Sequence, residues 1–442
     1  MLTACELPQP ASVLQVAAAL WDMPGACLLW DATKGGRSYV AVEPSVISLD
    51  PEPEPERIPA PQPWGHLPRW IGILPYEAER ERLERGSWTP EERRELPLIS
   101  ARCWYRYPLI VQIDRRVTVV GEEAASVRDL AKRLRVRLDR HDTQDQVVAV
   151  PVSGAKGREF DGSSLRPLHV ERESYEARLH VERVQAALAY IRKGDIYQVN
   201  VARRLEFEAT GSALSLLRRL SLQSPSPFGV AWELGAERSV VSTSPELFIE
   251  LSPQGLIRTL PIKGTRLRGL DAESDARERQ LLAQDPKEAA ELSMVIDLER
   301  NDVGRVARTG SVKAGTPFIE SHRRVFHRQA WVTGRLRSEV THDELLRAML
   351  PSGSVTGAPK VRAMELIAEL EPSRRGLYTG ALGFISQDGG MRLSMAIRTL
   401  VSHAGIAHYH VGGGVVADSD PDRELAETGW KALQVTRSSG NH

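Results

Sequence analysis

A lysine on a segment with restricted backbone freedom is the first residue in this chain that could do covalent chemistry. Leu256–Leu260 is predicted to be a strand, and it runs into a tight Pro-Ile-Lys-Gly-Thr corner that carries Lys263. Pro261 fixes its own φ, and Gly264 lets the backbone turn where a larger residue would clash. An amine held in one direction becomes a nucleophile when burial or cationic neighbours lower its pKa. Since most lysines are exposed, the segment alone is more typical of a surface lysine, and the rest of the chain must decide.

A first carboxylate that could bind a cation lies on the predicted helix 285–302. Asp285 can cap the helix, Pro286 suits its first position, and Glu288 has the spacing of a capping box. Further along, Glu291 shares a face with apolar residues. A carboxylate on such a face is costly unless it is paired. The sequence leaves open whether its partner is a cation or a neighbouring arginine.

A second carboxylate pair follows a strand rich in glycine. Glu424, Glu427 and Lys431 are three and four residues apart, so they form one stripe on a predicted helix. Three glycines that would let a ligand lie on the backbone end the preceding strand: Gly412, Gly413 and Gly414. Oxygen ligands from two helices, without a His or Cys set, would suit Mg²⁺ rather than zinc. The alternative is an exposed charge pair.

Anion binding is indicated at two further places. The segment Ser352–Ile367 is a glycine-rich loop entering a helix, and a helix N-terminus favours an anion. The loop is not a Walker loop, because no Lys-Ser or Lys-Thr follows its second glycine. Arg398, at the end of a predicted strand, could hold a carboxylate with two hydrogen bonds. Taken alone, each feature is more typical of a plain helix cap or a surface arginine.

The composition is that of a globular enzyme. The chain has 442 residues, 41% of them hydrophobic, and 58 basic residues balance 58 acidic ones. Without net charge, the whole chain has no electrostatic attraction to nucleic acid or to an anionic membrane. No segment approaches about 18 uncharged apolar residues, so neither a membrane helix nor a signal peptide is predicted. Three widely separated cysteines fit a reducing compartment, and we expect a cytoplasmic enzyme.

The pattern of elements predicts an α+β fold. Many antiparallel-type strands occur together with long helices, which argues against a doubly wound sheet. The polar, glycine-rich stretch 154–167 is the best candidate boundary, and it divides a region 1–165 from a region 166–442. Within the first region, 51–63 is proline-rich and predicted to be extended, 77–94 is a solvated helix or loop, and 146–152 is a strand.

Seven motifs together resemble the chorismate-utilising enzymes, the family of anthranilate, aminodeoxychorismate, isochorismate and salicylate synthases. They occur in the family's order, between about residues 175 and 435, and they are Gly194–Asn200, Ser244–Glu246, Pro261–Thr265, Val295–Asp302, Gly353–Lys360, Ala396–Thr399 and Gly412–Ser419. Region 1–165 resembles the family's divergent N-terminal region with much lower specificity. The resemblance implies two large, mainly antiparallel sheets packed as a sandwich with helices outside.

The resemblance also implies roles for individual residues. Glu246 matches the general acid that protonates the departing C4 hydroxyl of chorismate. Glu291 and Glu427 match ligands of a Mg²⁺ ion that binds the ring carboxylate, with Glu424 close by. The remaining matches are substrate contacts: Arg398, the Gly412–Gly414 turn and Lys431 for the carboxylates, Thr356 in the substrate-facing loop, and His327 beside the ring.

Two positions discriminate among the family's activities. Isochorismate and salicylate synthases carry a water-activating lysine where this chain has Gln198, and a neutral amide cannot remove a proton from water at pH 7. Anthranilate synthases usually carry alanine at Lys263, whereas aminodeoxychorismate synthases carry lysine. The resemblance therefore implies aminodeoxychorismate synthesis through a covalent Lys263 adduct, with ammonia from a separate glutaminase subunit, because the chain shows no glutaminase domain.

Departures from the family pattern keep alternatives open. Phe384 stands where many relatives have tyrosine, which removes a hydroxyl near the substrate, and Arg328-Gln329-Ala330 replaces Leu-Val-Ser after His327. One alternative is anthranilate synthase component I, in which ammonia attacks C2 directly. Another is a non-catalytic subunit that binds chorismate or regulates a partner, although the intact Glu246, Lys263, Glu291 and Glu427 set argues against it.

Overall fold

The structure is a computed structural model, and it describes residues 2–8, 11–31, 36–48, 64–77, 102–140, 164–168, 170–223 and 225–436. The strands in this part of the chain are β1 (Thr3–Glu6), β2 (Cys27–Trp30), β3 (Ser38–Ala41), β4 (Val46–Ser48), β5 (Pro68–Leu74), β6 (Cys103–Arg106), β7 (Leu109–Ile113), β8 (Val117–Gly121), β9 (Ser164–Pro167), β10 (Gln198–Thr210), β11 (Phe228–Gly235), β12 (Arg238–Ser244), β13 (Leu247–Leu251), β14 (Leu256–Leu260), β15 (Ile262–Leu267), β16 (Lys313–Ala314), β17 (Phe318–Ser321), β18 (Val325–Gln329), β19 (Val332–Arg335), β20 (Gly357–Ala358), β21 (Ala381–Ser386), β22 (Met391–Met395), β23 (Thr399–His403) and β24 (Ile406–Val415).

The α-helices in the same ranges are α1 (Val13–Leu20), α2 (Ala124–Arg140), α3 (Val170–Lys193), α4 (Ala213–Gln223), α5 (Ala272–Gln284), α6 (Pro286–Gly304), α7 (His342–Met349), α8 (Lys360–Leu370) and α9 (Pro421–Thr436). Among the described helices, none combines the length and the apolar character that a membrane crossing requires.

Two large sheets organise the strands. The order across the first is β1-β8-β7-β3-β2-β11-β12-β23-β24-β10-β20, with β9 also on β10, and the order across the second is β16-β19-β14-β13-β22-β21-β5-β6-β4. A third, small sheet has the order β15-β18-β17. Both large sheets contain strands from each side of residue 165, so the two predicted regions share them. The division at 165 stays a prediction.

An apolar core lies between the two large sheets. Trp232 of the first sheet meets Tyr105 of the second edge to face, with 4.9 Å between ring centroids. The Trp232 indole N–H donates to the hydroxyl of Tyr107 over 3.0 Å, so its one polar atom is satisfied. β7 and β8 are fully buried and rich in β-branched residues, as strands covered on both faces should be.

The helices cover the outer faces of the sheets. The core on the outer face of the first sheet includes residues of α1, α2, α4 and α9. The corresponding core of the second sheet includes residues of α6 and α7, and α3 and α8 pack with β10. The predicted α+β sandwich of antiparallel sheets with helices outside is therefore confirmed.

The segment Cys103–Ile113 forms two strands, β6 in the second sheet and β7 in the first. Pro108 lies between them, and a proline cannot continue a sheet's hydrogen-bond ladder. The predictions for 51–63, 146–152 and nearly all of 77–94 lie outside the described residues.

Candidate active site

Lys263 lies on a strand rather than on a corner. β15 begins at Ile262, directly after Pro261, and its pairing with β18 shifts register between Ile262 and Thr265. Gly264 adopts φ +86° within this irregularity. A bulge needs the same backbone freedom as a tight turn, which is why the sequence pattern did not separate the two. The prediction of a corner was wrong, but the lysine is still held at a fixed irregularity.

The three glycines also lie within a strand and not in a turn. They belong to β24, where Gly413 pairs with Val201 of β10. A Cβ atom on Gly414 would lie 2.4 Å from Gln198 Nε2 and 3.5 Å from Lys263 Nζ. Glycine is thus required for the predicted amide and amine to approach the backbone together.

The neighbouring glycine faces the carboxylates of α9. A Cβ atom on Gly413 would lie 3.0 Å from Glu424 Oε2 and 3.7 Å from Glu427 Oε1. The end of β24 therefore brings four of the predicted site residues to one stretch of bare backbone. Two of them come from β10 and β15, and two from α9.

Glu246 is buried in the connection between β12 and β13. Its Oε1 accepts a hydrogen bond from Ser354 Oγ over 3.0 Å. Burial raises the pKa of Glu246 to about 7, although Ser354 and Lys263 act to lower it. A carboxyl group with this pKa holds a proton at neutral pH and can still release it, as a general acid must.

The predicted metal ligands are held by lysines. Lys287 Nζ lies 3.8 Å from Glu291 Oε1, and Lys431 Nζ lies 2.6 Å from Glu427 Oε1. Glu424 accepts from Ser419 Oγ over 2.7 Å. In the described part of the chain, no three His, Cys, Asp or Glu side chains gather into a ready-made metal site. The alternative of an arginine partner for Glu291 is not what the structure shows.

Electrostatics nevertheless link these carboxylates. Burial raises the pKa of Glu424, and the negative charge of Glu427 raises it further. For Glu427, burial acts to raise the pKa, but Lys431, Lys263 and Lys287 lower it overall. Crowded carboxylates with oxygen atoms alone form a donor set that fits Mg²⁺. The three carboxylates therefore have the chemistry of a Mg²⁺ site, although lysines pair with Glu291 and Glu427 in this structure.

The predicted substrate contacts are ordered by hydrogen bonds. Lys431 Nζ donates to Gly412 O over 2.8 Å, so Lys431 connects α9 to β24. Thr356 Oγ1 donates to Ser352 O over 2.8 Å, inside the loop before β20. Arg398 follows β22 with φ +50°, and its carbonyl accepts from Thr243 N–H over 3.1 Å.

His327 is a neutral, buried histidine. It lies opposite Thr265 in the β15–β18 pair, and its Nδ1 is 2.9 Å from Thr265 Oγ1. Burial lowers the pKa of His327 to about 3, and the charges of Arg398 and His322 add to this effect. His327 therefore positions the lysine-bearing strand and cannot supply a proton at neutral pH.

Gln198 contributes a buried amide at the start of β10. Its side chain is 1% exposed, and its Oε1 has no hydrogen-bond partner among the described residues. An unpartnered buried acceptor is costly, so this oxygen is available for a donor on a ligand.

Sequence reasoning missed some residues that complete the site. Asp285 caps α6 as predicted, accepting from the N–H groups of Lys287 and Glu288. The Glu288 carboxylate, however, lies beside Gly264, since a Cβ there would be 3.1 Å from Glu288 Oε2. Burial raises the pKa of Glu288, and Glu291 raises it further. From the sequence, the spacing of Glu288 indicated only a capping box and gave no sign that its carboxylate lies beside Gly264. Ser352, Ser354 and Glu299 were also missed, although they lie inside recognised motifs.

The departures from the family pattern lie in structural positions. The ring of Phe384 packs edge to face against Tyr39 at 5.8 Å, in the core between the sheets. Arg328 Nη1 donates to the carbonyls of Leu282 and Asp285 over 3.3 Å each, between α5 and α6. Ala330 is fully buried in the core of the second sheet.

Comparison with known proteins defines the class first. A sequence model described as chorismate binding enzyme matches residues 26–437. The chain belongs to this family, and it is a chorismate-utilising enzyme.

Individual relatives then narrow the comparison. The chain is 39% identical to aminodeoxychorismate synthase component 1 of Klebsiella aerogenes over 85% of its length and 78% of the relative. It is 42% identical to anthranilate synthase component 1 of Thermus thermophilus over 65% of its length and 61% of the relative. The identities are so similar that they do not separate the two activities.

Solved structures agree on the fold. Anthranilate synthase component I from Streptococcus pneumoniae superposes with a TM-score of 0.73 at 26% identity, covering 92% of this chain and 93% of the other. The menaquinone-specific isochorismate synthase from Escherichia coli superposes with a TM-score of 0.72, covering 98% of this chain and 93% of the other. At 16% identity, this second likeness concerns the fold alone.

Proposed function

We propose that the protein is the chorismate-aminating component of an aminodeoxychorismate synthase. It would convert chorismate and ammonia to 4-amino-4-deoxychorismate, a precursor of p-aminobenzoate. The observation that carries this proposal is the joint approach of Lys263 Nζ and the Gln198 amide to Gly414. An amine at this place can act as a nucleophile, whereas a neutral amide cannot activate water.

The reaction would proceed as two displacements. In the first, Lys263 Nζ forms a bond to ring C2, the two ring double bonds shift, and the C4–O bond breaks. Glu246 gives its proton to the departing hydroxyl, which leaves as water, and the proton lost by the new amine restores Glu246. The pKa of Glu246 near 7 suits this exchange.

The second displacement reverses the shift. Ammonia forms a bond to C4, the double bonds return, and the C2–Nζ bond breaks, so that Lys263 is regenerated. The proton released by the new amino group passes to the departing lysine nitrogen. Gln198 Oε1, which lacks a partner among the described residues, would accept a hydrogen bond from ammonia and orient it.

The substrate carboxylates would be held at the end of β24. Glu291 and Glu427 would hold Mg²⁺, with Glu424 beside them, and the bound ion would supply positive charge to the ring carboxylate. Arg398, Lys431 and the backbone of Gly412–Gly414 would bind the substrate's carboxylates, and Thr356 would line the same space. Lys431 already donates to Gly412 O over 2.8 Å, so a small movement would transfer this donor to substrate.

Partners follow from the proposed reaction. The relatives named above are each a component 1. We infer that ammonia reaches this chain from a separate glutaminase subunit in the cytoplasm. Ammonium salts at high concentration should replace that subunit in a purified assay.

The test is product analysis with chorismate, ammonium and Mg²⁺. Wild-type protein should give aminodeoxychorismate, and a rapidly quenched reaction without ammonia should carry a dehydrated chorismate adduct on the peptide containing Lys263. Lys263→Ala should lose the adduct and shift the product towards anthranilate. Lys263→Arg should not rescue, because a guanidinium stays protonated. Aminodeoxychorismate at the wild-type rate from Lys263→Ala would refute the covalent mechanism.

A second measurement uses the same assay without ammonia. Because Gln198 cannot act as a base, the wild-type protein should form little isochorismate or salicylate. Isochorismate as the main product would place the chain with the water-adding enzymes. In the assay with ammonium, fluorescent anthranilate as the main product would identify an anthranilate synthase component.

A further inference from the structure

A continuous chain of four buried side chains connects Glu246 to a second carboxylate. Glu246 Oε1 is 3.0 Å from Ser354 Oγ, and Ser354 Oγ is 2.9 Å from Ser352 Oγ. Ser352 Oγ is in turn 2.5 Å from Oε1 of Glu299. All four residues are buried, the most exposed at 6%. Each separation is within hydrogen-bond distance.

The fold holds these four hydrogen-bonded side chains rigidly. Ser352 caps a single 3₁₀ turn, Gly353–Val355, and Ser354 lies inside this turn, where its N–H donates to Ser352 Oγ over 3.1 Å. A Cβ atom on Gly353 would lie 2.7 Å from Leu298 Cβ, so glycine lets the turn pack directly on α6 beside Glu299. Thr259 Oγ1 donates to the other oxygen of Glu299 over 3.2 Å.

The number of available protons decides whether both carboxyl groups of this hydrogen-bonded series can be ionised. Three side-chain contacts need three protons, and each serine hydroxyl supplies only one. If both carboxylates were ionised, each serine would donate to its own carboxylate. The two serine oxygens would then face each other at 2.9 Å with no proton between them. One carboxyl proton completes all three hydrogen bonds, in either direction along the chain.

We propose that Glu246 and Glu299 share one proton through Ser354 and Ser352, and that Glu299 is a positioning residue that keeps Glu246 supplied with this proton. In one arrangement the proton is on Glu246 and Glu299 is ionised. The proton reaches Glu299 in three transfers, from Glu246 to Ser354, from Ser354 to Ser352 and from Ser352 to Glu299. Each transfer breaks one O–H bond and forms another. The assignment of Glu246 as the general acid rests on the proposed function, whereas the shared proton does not.

The charges around the pair are consistent with a single negative charge. Asp302 and Lys360 lie beside Glu299 and are hydrogen-bonded to each other. Lys263 acts on Glu246 from β15. Burial raises the pKa of each carboxyl group in the pair to about 7, and the charge of Glu299 further raises that of Glu246. Lys263 and Lys360 bring two positive charges and Asp302 brings one negative charge, so one ionised carboxylate in the pair balances the charges around it.

The kinetic test is the pH dependence of chorismate consumption, whatever the product. Glu299→Gln removes the charge and the mobile proton, so the alkaline limb of kcat/KM should move down by about one pH unit. Activity should therefore fall roughly tenfold at pH 8 and little at pH 6. Ser352→Ala keeps both carboxyl groups and should also shift the limb. Loss of activity at every pH with an unmoved limb would mean a structural role and overturn the proposal.

The second readout needs no substrate. Infrared difference spectra at pH 7 should show a protonated carboxyl band in the wild-type protein that disappears in Glu246→Gln and equally in Glu299→Gln. If each variant instead lost a different band, and the two losses added up to the wild-type signal, each carboxyl group would hold its own proton and the proposal would be overturned. Glu233→Gln is the control, since the Glu233 carboxylate accepts from Trp21 and Ala213, outside the chain. If the wild-type protein leaves chorismate unchanged, the proposed function fails, and the infrared result still decides the shared proton.

Discussion

Two groups of glutamates in this enzyme balance their negative charge by different means. The inner pair, Glu246 and Glu299, is bonded to serine and threonine hydroxyls. The outer group lies on α6 and α9, and lysines contact it directly at Glu291 and Glu427. The side-chain hydrogen bonds of the inner pair come from uncharged hydroxyl groups, whereas lysines directly contact two carboxylates of the outer group.

The difference supports the separate roles that we propose for the two groups. A carboxyl group that carries a proton near neutral pH can act as an acid, and the inner pair has pKa values of about 7 because it is buried. Lysines lower the pKa of Glu427 in the outer group, so that it stays ionised and can bind a divalent cation. The surroundings of a glutamate therefore separate proton transfer from metal binding.

The largest expected effect is on the outer group. Excess chelator should abolish chorismate consumption, because Glu291, Glu424 and Glu427 would lose the cation that joins them to the substrate. Added Mg²⁺ should restore the activity, and circular dichroism should show an unchanged fold throughout. Full activity in excess chelator would show that these carboxylates are structural, and the comparison between the two groups would fail.

The next effect concerns the inner pair. Glu246→Gln keeps the shape of the side chain but cannot donate the acid proton, so kcat should fall by about 10²- to 10⁴-fold. Mg²⁺ dependence should remain as in the wild-type protein, because the outer group is untouched. Equal losses of Mg²⁺ affinity and of kcat would show that the two groups act as one.

Part of this arrangement could be predicted from the sequence. Helix capping by Asp285 and the α+β class follow from local patterns, the sandwich of two sheets follows from the family resemblance, and all three were confirmed. The catalytic motifs were recognisable because each is a short continuous segment. Glu246 and Lys263 could be singled out in this way, although their roles stay proposals.

The rest could not be predicted because it depends on contacts between distant segments. Glu299 and Ser352 are 53 residues apart, and neither has an unusual local pattern. Glu288 has the spacing of a helix cap, so its turn towards Gly264 is invisible in the sequence. Gly264 itself fits both a turn and a bulge, since either needs a positive φ.

A smaller effect is expected from Lys287→Ala, which tests whether Lys287 takes the place of Mg²⁺ beside the outer group. Lys287 is half exposed and 3.8 Å from Glu291, and such surface pairs contribute about 0–1 kcal/mol. Lys287→Ala should therefore lower the Mg²⁺ concentration needed for half-maximal activity by no more than about fivefold. A higher Mg²⁺ requirement would instead assign Lys287 to substrate binding or to the shape of α6. Arg300→Ala, on an exposed part of the same helix, is the matched control.

A test of stability instead of activity examines whether burial alone gives a glutamate the inner pair's acidity. Glu77 is 3% exposed, and its Oε1 accepts from Arg375 N–H over 2.7 Å. Burial raises its pKa from 4.5 to about 7. The folded protein therefore binds a proton here that the unfolded chain has lost, and wild-type stability falls as pH rises from about 4.5 to 7. Glu77→Gln removes this dependence and keeps the acceptor.

Relative to the wild-type protein, the free energy of unfolding of Glu77→Gln should rise by about 1–3 kcal/mol at pH 8 and change little at pH 4.5. The urea midpoint at the two pH values measures the difference. Glu250→Gln, at a partly exposed residue 3.6 Å from Arg258, should show no comparable rise at pH 8. If Glu77→Gln changed the midpoint equally at both pH values, burial would not be what raises the pKa of Glu77. Burial would then not suffice to explain the raised pKa values of Glu246 and Glu299 either, because their hydrogen bonds from hydroxyl groups act to lower those values.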